Sequence, residues 1–391
     1  MKLEPVKYQL TTFIRYVGDA FIYPFLTLYL SFIGLENKDV GLIMMILPMV
    51  AIFINPIWSK FSRNVNYNRH FVRVLTIIEA LAVIMLVNVG ASTLLIALAV
   101  FIIGVSGQPL YILLDSYVIT YANMENYEYS KIRIFGSIAY CVTVIVSGVV
   151  AAYDYKLAFY IGAGAFILTS MLLTWIKPLD ISGNETLMLK AEPKKLFENK
   201  RYIKYTIFVT LTLATMFTFD TYFPVYLKDI YSVGEIHYGF IVSAYILVEL
   251  IILFILGRVG KKVSILHLST FMILSLAIRY GVYALSGIIN IPLPIILVVT
   301  LLRGVPISVS LYMMMKMIAN LVNPNNITLA TIIMGSARAA FTTVLTVFGG
   351  YLTNNVAYYK YWFLLGAVLS ILAFAFIDYK NGVKTIENMI E

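Results

Sequence analysis

The sequence predicts an all-α polytopic membrane protein, with twelve transmembrane helices in two six-helix pseudo-repeats. Three observations predict this. The 391 residues are 61% hydrophobic and only 13% charged, with a mean hydropathy of +0.87, whereas a soluble domain is about a quarter charged and about half apolar. The apolar residues gather in runs, and about 20 helical residues cross a bilayer core. Short patterns recur near-constantly along the chain. Gly41-Leu42-Ile43 returns as Gly239-Phe240-Ile241, Gly107-Gln108-Pro109 as Gly304-Val305-Pro306, and Gly136-Ser137 as Gly335-Ser336, at offsets of 198, 197 and 199. Asp19 to Leu26 likewise echoes Asp220 to Leu227.

In chain order the runs place spans at 10–33, 40–59, 72–90, 93–121, 131–153, 157–177, 204–227, 237–257, 263–286, 293–320, 327–353 and 358–379. The fourth and tenth are long enough to tilt or to extend past the membrane. Most connections are short, which suits antiparallel neighbours. The exception is a polar, lysine-rich stretch containing Pro193. It divides the chain into an N-terminal bundle (1–177), a linker loop (178–203) and a C-terminal bundle (204–391).

Positive charge orients these spans. Of 29 Lys and Arg, nineteen fall in the N-terminus, the even-to-odd loops and the C-terminus or at the span ends that border them. Four fall in the odd-to-even loops or at their bordering span ends (Lys38, Lys156, Lys228, Lys360), and six lie deeper within spans. Cytoplasmic loops carry the excess of Lys and Arg, so both termini and the linker are expected in the cytoplasm of a cell (inner or plasma) membrane. The same bias accounts for the net charge of +9 without a nucleic-acid partner. Met1-Lys2-Leu3-Glu4-Pro5 leads into a full span with no small-residue cleavage site, so no removable signal is expected.

The chain offers little for enzymatic chemistry. Its one cysteine, Cys141, lies in a span and excludes an internal disulfide. His70, His237 and His267 lie at span ends or loops, and no pair has metal-ligand spacing. There is no Walker loop, HExxH or nucleophile elbow. Neither a cofactor nor a metal is expected, and the protein is not expected to be an enzyme.

The functional signal is ionisable residues inside spans, which are costly there and mark pathways or pair with each other. The acids are Asp19, Glu79, Asp115, Asp220 and Glu249, and the bases Arg15, Arg133, Arg279, Arg303, Lys316 and Arg338. Arg15 and Asp19 are i,i+4 on one helix and can neutralise each other. Lys316, near the end of the tenth span, can snorkel to the interface. Asp220 precedes Pro224, which frees a backbone carbonyl; a gate or site role and a structural one are both open there. Most of the 29 tyrosines read as interface or packing residues, while Tyr23, Tyr140 and Tyr245 are candidates for lining a cavity.

The most informative stretch runs from Tyr127 to Tyr140. It opens polar and becomes an apolar helix carrying Arg133, with Tyr140 seven residues later on the same face. Asp115 lies 18 residues upstream. A carboxylate, a guanidinium and an aromatic ring can converge here as a binding site. The alternative is a structural ion pair with a packing tyrosine.

Glu128-Tyr129-Ser130-Lys131-Ile132-Arg133-Ile134-Phe135-Gly136-Ser137 resembles the start of the fifth helix in lactose permease and its relatives of the major facilitator superfamily, including the phenylpropionate permease-like branch. Those read Glu-Tyr-Gly-x-x-Arg-x-(Phe/Trp)-Gly-(Ser/Cys). The resemblance implies that Arg133 pairs with sugar hydroxyls, that Asp115 is its carboxylate partner, and that Tyr140 is the sugar-stacking aromatic. The chain departs with Ser130 for Gly, Asp for Glu at 115 and Tyr for Trp at 140. Glu249, Arg279 and Arg303 resemble an acid–Arg–His set that couples protons to substrate in those permeases. Arg303 stands where they have His, and an arginine does not exchange protons at physiological pH. Coupling is therefore expected through Glu249, Asp220, Asp115 or Asp19. Glu79, on a helix that is peripheral in this fold, reads as structural. The superfamily's loop signature is degenerate at Asn55 to Arg63 and keeps only its basic end at Gly257 to Lys262.

The implied protein is a monomeric secondary transporter that takes up a sugar, oligosaccharide or nucleoside with a proton by alternating access. Its partners are the small-molecule substrate, the proton and the lipid bilayer. The alternatives are an organic-anion (aromatic carboxylate) transporter, which the arginines favour, and a lipid flippase or membrane assembly factor.

Overall fold

The structure is a computed structural model that describes residues 3–61, 65–179, 193–323 and 326–377. Its elements are helices joined by short connections, with no strand among the described residues. Among the described residues, eleven helices are long and apolar enough to cross a membrane. The remaining span, Leu3–Ile22, carries Lys7, Arg15 and Asp19 along its length, so its own residues are less apolar. It continues through a 3₁₀ turn, Tyr23–Phe25, into Leu26–Phe32. Pro24, at the start of that turn, has no N–H to continue the α-helical ladder.

These are spans 1 to 12 in chain order. Span 2 is Asn37–Met44 with Ile46–Phe61, span 3 Val65–Asn88, span 4 Thr93–Met124, span 5 Tyr129–Tyr153 and span 6 Tyr155–Trp175. Span 7 is Lys200–Val209, a π-helical turn Thr210–Ala214, and Thr215–Tyr231. Span 8 is Glu235–Val259 and span 9 Ile265–Leu285. Span 10 is Leu293–Thr300, a 3₁₀ turn Leu301–Arg303, and Gly304–Leu321. Span 11 is Ile327–Thr353 and span 12 Tyr359–Leu372. The 3₁₀ turn of span 10 sits before Pro306, whose ring denies Leu302 its α-helical partner.

Several spans begin earlier than hydropathy alone places them, because polar flanking turns are also helical. Side-chain caps fix some starts. Asp154 accepts from the Lys156 N–H, Asn199 from the Arg201 and Tyr202 N–H groups, and Ser264 from the His267 N–H, each satisfying a backbone donor that the first helical turn leaves open. Of the linker expected at 178–203, residues 180–192 lie outside the described residues, and 193–198 form a short helix, Pro193–Glu198. The Arg63 end of the first loop signature and the chain beyond 377 also lie outside the described residues.

The chain divides into two compact units, Met1–Thr186 with Ser232–Ser243, and Leu187–Tyr231 with Ala244–Glu391. In the first, span 1 packs on spans 5 and 6, and span 3 on spans 4 and 6. Span 3 shows how the sequence sorts its faces. Val72, Leu75, Thr76, Glu79, Val83 and Leu86 are buried at helical spacing, while Val74, Ile77, Ile78 and Leu81 are exposed on the other side, as a bilayer-facing surface requires. Glu79 therefore belongs to the inner face. In the second unit, span 9 packs on spans 10 and 12, and span 7 on spans 11 and 12. Its core is aromatic: Phe219 stacks on Trp362 at 3.9 Å, and Tyr283 packs against Phe223 and Phe363 at 5.1 Å each.

Candidate functional site

Each unit brings intramembrane charges together. In the first unit Arg15 and Asp19 lie on the buried face of span 1 with Tyr8, Thr11 and Thr12. The Arg15 guanidinium holds Glu79 with two hydrogen bonds, of 2.6 and 3.2 Å, and stands 3.0 Å from an Asp19 oxygen. Tyr23, in the 3₁₀ turn, donates to the same Glu79 at 2.7 Å. Arg15 also lies 4.1 Å from the Phe166 ring centre. All three charged side chains are sealed, at 0–1% exposure.

The resemblance-derived recognition set is in the same unit and is more open. Arg133 Nε lies 4.0 Å from Asp115 Oδ1, with the two side chains 34% and 38% exposed. Arg133 spreads over the Tyr16 ring at 4.5 Å. Gly136 makes that possible, since a Cβ there would stand 2.7 Å from the Tyr16 ring. Arg133 Nη1 is buried and has no hydrogen-bond partner among the described residues. Tyr140 lies two turns further along span 5 and is half-buried.

In the second unit one carboxylate joins two guanidinium groups. Asp220 of span 7 accepts from Arg279 of span 9 at 2.6 Å and from Arg303 of span 10 at 3.0 Å. Arg303 reaches Glu249 of span 8 at 3.6 Å and lies over the Tyr245 ring at 4.3 Å. Spans 8 and 10 meet closely there, because a Cβ at Gly304 would stand 2.7 Å from the Glu249 nitrogen. Arg279 continues into a hydroxyl relay: its Nε donates to Tyr283, whose hydroxyl meets Thr300 at 2.6 Å. Arg279 is 1% exposed, while Asp220, Arg303 and Glu249 are 16–20% exposed. Arg338 of span 11 lies 5.3 Å from the Phe217 ring centre and forms no ion pair among the described residues. The Lys316 side chain lies outside the described residues.

The structure thus pairs Asp115 with Arg133, and Asp220 with both Arg279 and Arg303, and brings Glu249 to Arg303. Sequence reasoning missed three participants: Glu79 as a partner of Arg15, Tyr16 beneath Arg133, and the Tyr283–Thr300 relay. The available signal for Glu79 was its place among the inward positions 72, 75, 83 and 86 of span 3.

Bundles of membrane-spanning helices with charged networks buried inside them, and no strand among the described residues, make this a polytopic membrane protein of the kind that includes transporters. Residues 6–362 match the family model described as MFS_1 like family, and the chain belongs to that family. It is 21% identical to the lactose permease of Klebsiella oxytoca over 93% of this chain and 91% of that one. Among solved structures, it is similar to a point mutant of the nucleoside transporter NupG at a TM-score of 0.81 and 16% identity, covering 95% of this chain and 98% of that one. It is also similar to a D-xylose-proton symporter at a TM-score of 0.74 and 13% identity, covering 98% of each. These likenesses establish the major facilitator fold. The family and the fold are those of transporters rather than enzymes.

Proposed function

We propose that the protein takes up a small polar solute bearing hydroxyl groups, a sugar, oligosaccharide or nucleoside, by proton-driven alternating access. The observation that carries this reading is Arg133. Its guanidinium lies over the Tyr16 ring, meets Asp115 only at 4.0 Å, and keeps Nη1 without a hydrogen-bond partner among the described residues. Such a planar fork holds two hydroxyls at once, in a setting where charge-assisted hydrogen bonds are strong. Asp115 orients the fork and accepts a further hydroxyl, and Tyr140 offers a ring for a sugar face. Similarity to the lactose permease, the nucleoside transporter and the D-xylose-proton symporter supports the same substrate class and the proton.

On this reading Asp220, Arg279, Arg303 and Glu249 transmit substrate binding to the coupling machinery, with Asp19 as the corresponding acid of the N-terminal half. The protein acts as a monomer in the cell membrane, with both termini cytoplasmic. The test is thermal stabilisation of the purified protein across a panel of sugars, nucleosides and carboxylates. Uptake of the stabilising solute into vesicles under an imposed pH gradient follows. Stabilisation by hydroxylated solutes and accumulation abolished by an uncoupler are expected. Stabilisation by carboxylates alone overturns the substrate class, and uptake indifferent to the gradient overturns the coupling.

A second reading has one observation behind it. Arg338 has an aromatic ring and no ion pair among the described residues, and an uncompensated guanidinium within a span suits an organic anion. Binding of aromatic carboxylates that is lost in Arg338→Gln supports that reading.

A further inference from the structure

We infer that Arg15, Asp19, Glu79 and Tyr23 form a binding site for one proton, held on Asp19 while Glu79 stays ionised against Arg15. The proposal rests on the proton-driven reading for its role in transport, but the site's existence is decided separately.

Three observations place a proton here. The first is the charge count. Two carboxylates and one guanidinium are sealed together at 0–1% exposure. Among the described residues, no other cation of spans 1 and 3 forms an ion pair with them. A buried charge without a partner is costly unless it is neutralised, and a single proton neutralises the surplus acid. The second is the difference between the two acids. Glu79 receives two guanidinium N–H donors and the Tyr23 hydroxyl, three hydrogen bonds in all. Asp19 is equally buried but accepts no directed hydrogen bond from Arg15 or Tyr23, and the hydroxyl that faces it is that of Tyr111 on span 4. Arg15 approaches Asp19 only from the side, with its buried Nε unpartnered. The third is Gly107 of span 4, where a Cβ would stand 2.6 Å from Glu79 Oε1 and 2.8 Å from the Tyr23 hydroxyl. The missing side chain gives the Glu79 arrangement its room, so the cluster is built into three spans.

The other groups facing the cluster do not restore the balance. Span 4 supplies Tyr111, 5.6 Å from Arg15, and Asp115. Span 5 supplies Arg133, which is engaged with Asp115 and Tyr16. Among the described residues, span 6 brings the Phe166 ring and no charged group to the Arg15 guanidinium.

The site makes a sharp prediction. With one acid too many, removing either acid leaves the other paired with Arg15 and expels the proton. When the proton leaves Asp19, its carboxylate competes with Glu79 for the guanidinium, so loss of the proton re-aims Arg15 between spans 1 and 3. Proton binding is thereby tied to the packing of the first unit.

The test is infrared difference spectroscopy of the purified protein in a carbonyl-free maltoside detergent, titrated from acid to alkaline. A protonated-carboxyl stretching band that shifts in heavy water is expected in the parent at neutral pH. It should vanish in Asp19→Asn and also in Glu79→Gln, and persist in Glu249→Gln. If one of the first two variants fails to fold, the other decides alone. If both fail, Tyr23→Phe, which keeps both acids and removes one donor from Glu79, is expected to change the titration midpoint of the band. Absence of the band in the parent, its survival in either folded acid variant, or an unmoved midpoint in Tyr23→Phe overturns the site. A band that behaves as expected beside uptake indifferent to the pH gradient keeps the site and retires the proton-driven reading.

Discussion

The two charged networks use the same three kinds of group but close them differently. In the first unit Arg15, Asp19 and Glu79 are shut away at 0–1% exposure. In the second, Asp220, Arg303 and Glu249 keep 16–20% exposure, although Arg279 is sealed. The first holds two acids on one base; the second holds two acids on two bases. Polarity is also exchanged. Span 1 brings the base to an acid on span 3, whereas span 7 brings the acid to a base on span 9. The repeat thus conserves the place of the charge cluster and not its chemistry. A sealed, unbalanced cluster stores a charge state, while a balanced, partly open one trades partners with whatever enters.

The largest expected effect breaks the sealed cluster. Arg15→Met strands the buried Glu79 carboxylate beside a second acid, and breaking a buried pair costs about 3–5 kcal/mol. Arg303→Met leaves Asp220 paired with Arg279 and its other oxygen partly exposed, so its cost should be smaller. Thermal melting of the two variants side by side checks this; equal losses would remove the distinction between the networks.

Next come the glycines that let each network form. A methyl at Gly304 meets span 8 backbone, Tyr245 O at 2.8 Å and Glu249 N at 2.7 Å, while one at Gly107 meets mainly side-chain ends. Backbone does not swing aside, so Gly304→Ala should cost more than Gly107→Ala. Overpacking of this kind typically costs about 1–3 kcal/mol. Melting temperatures in the reverse order would show that the Glu79 and Tyr23 ends are the more rigid.

Arg133→Lys sharpens the comparison at a third, open site. The guanidinium fork is lost and the charge kept, and a hydrogen bond to a charged group contributes about 1.5–3 kcal/mol. Substrate affinity should fall by roughly tenfold or more in a preparation that melts like the parent. Unchanged affinity leaves Arg133 as a structural partner of Asp115. The smallest effect is expected for Tyr140→Phe, which keeps the ring, with Tyr140→Ala severe. Equal affinities in both would remove the stacking role.

Much of the fold was legible because the hydropathy of each span is carried by that span's own residues. The Asp115–Arg133 pair was legible for a related reason: it joins consecutive spans, and a resemblance in register marked it. Glu79 was not, because its partner lies 64 residues away on span 1 and only helix packing makes them neighbours. Arg15 and Asp19, four residues apart, supplied a sufficient local explanation for each other, and the true second acid went unsought. Asp220, Arg279 and Arg303 were each visible, but their convergence on one carboxylate depends on how three spans rotate against each other. Tyr16 gave no signal beyond being one aromatic among many.

Both networks also adjoin a short stretch of tighter winding. Tyr23, which donates to Glu79, and Arg303, which donates to Asp220, each belong to a three-residue 3₁₀ turn set into a longer helix. A 3₁₀ helix rises about 2.0 Å per residue and an α-helix about 1.5 Å. Rewinding three residues from one to the other shortens a span by about 1.5 Å. Each charge cluster is therefore mounted where the pitch of its helix changes, and the length at stake in that one turn equals the difference between a hydrogen bond and a broken one.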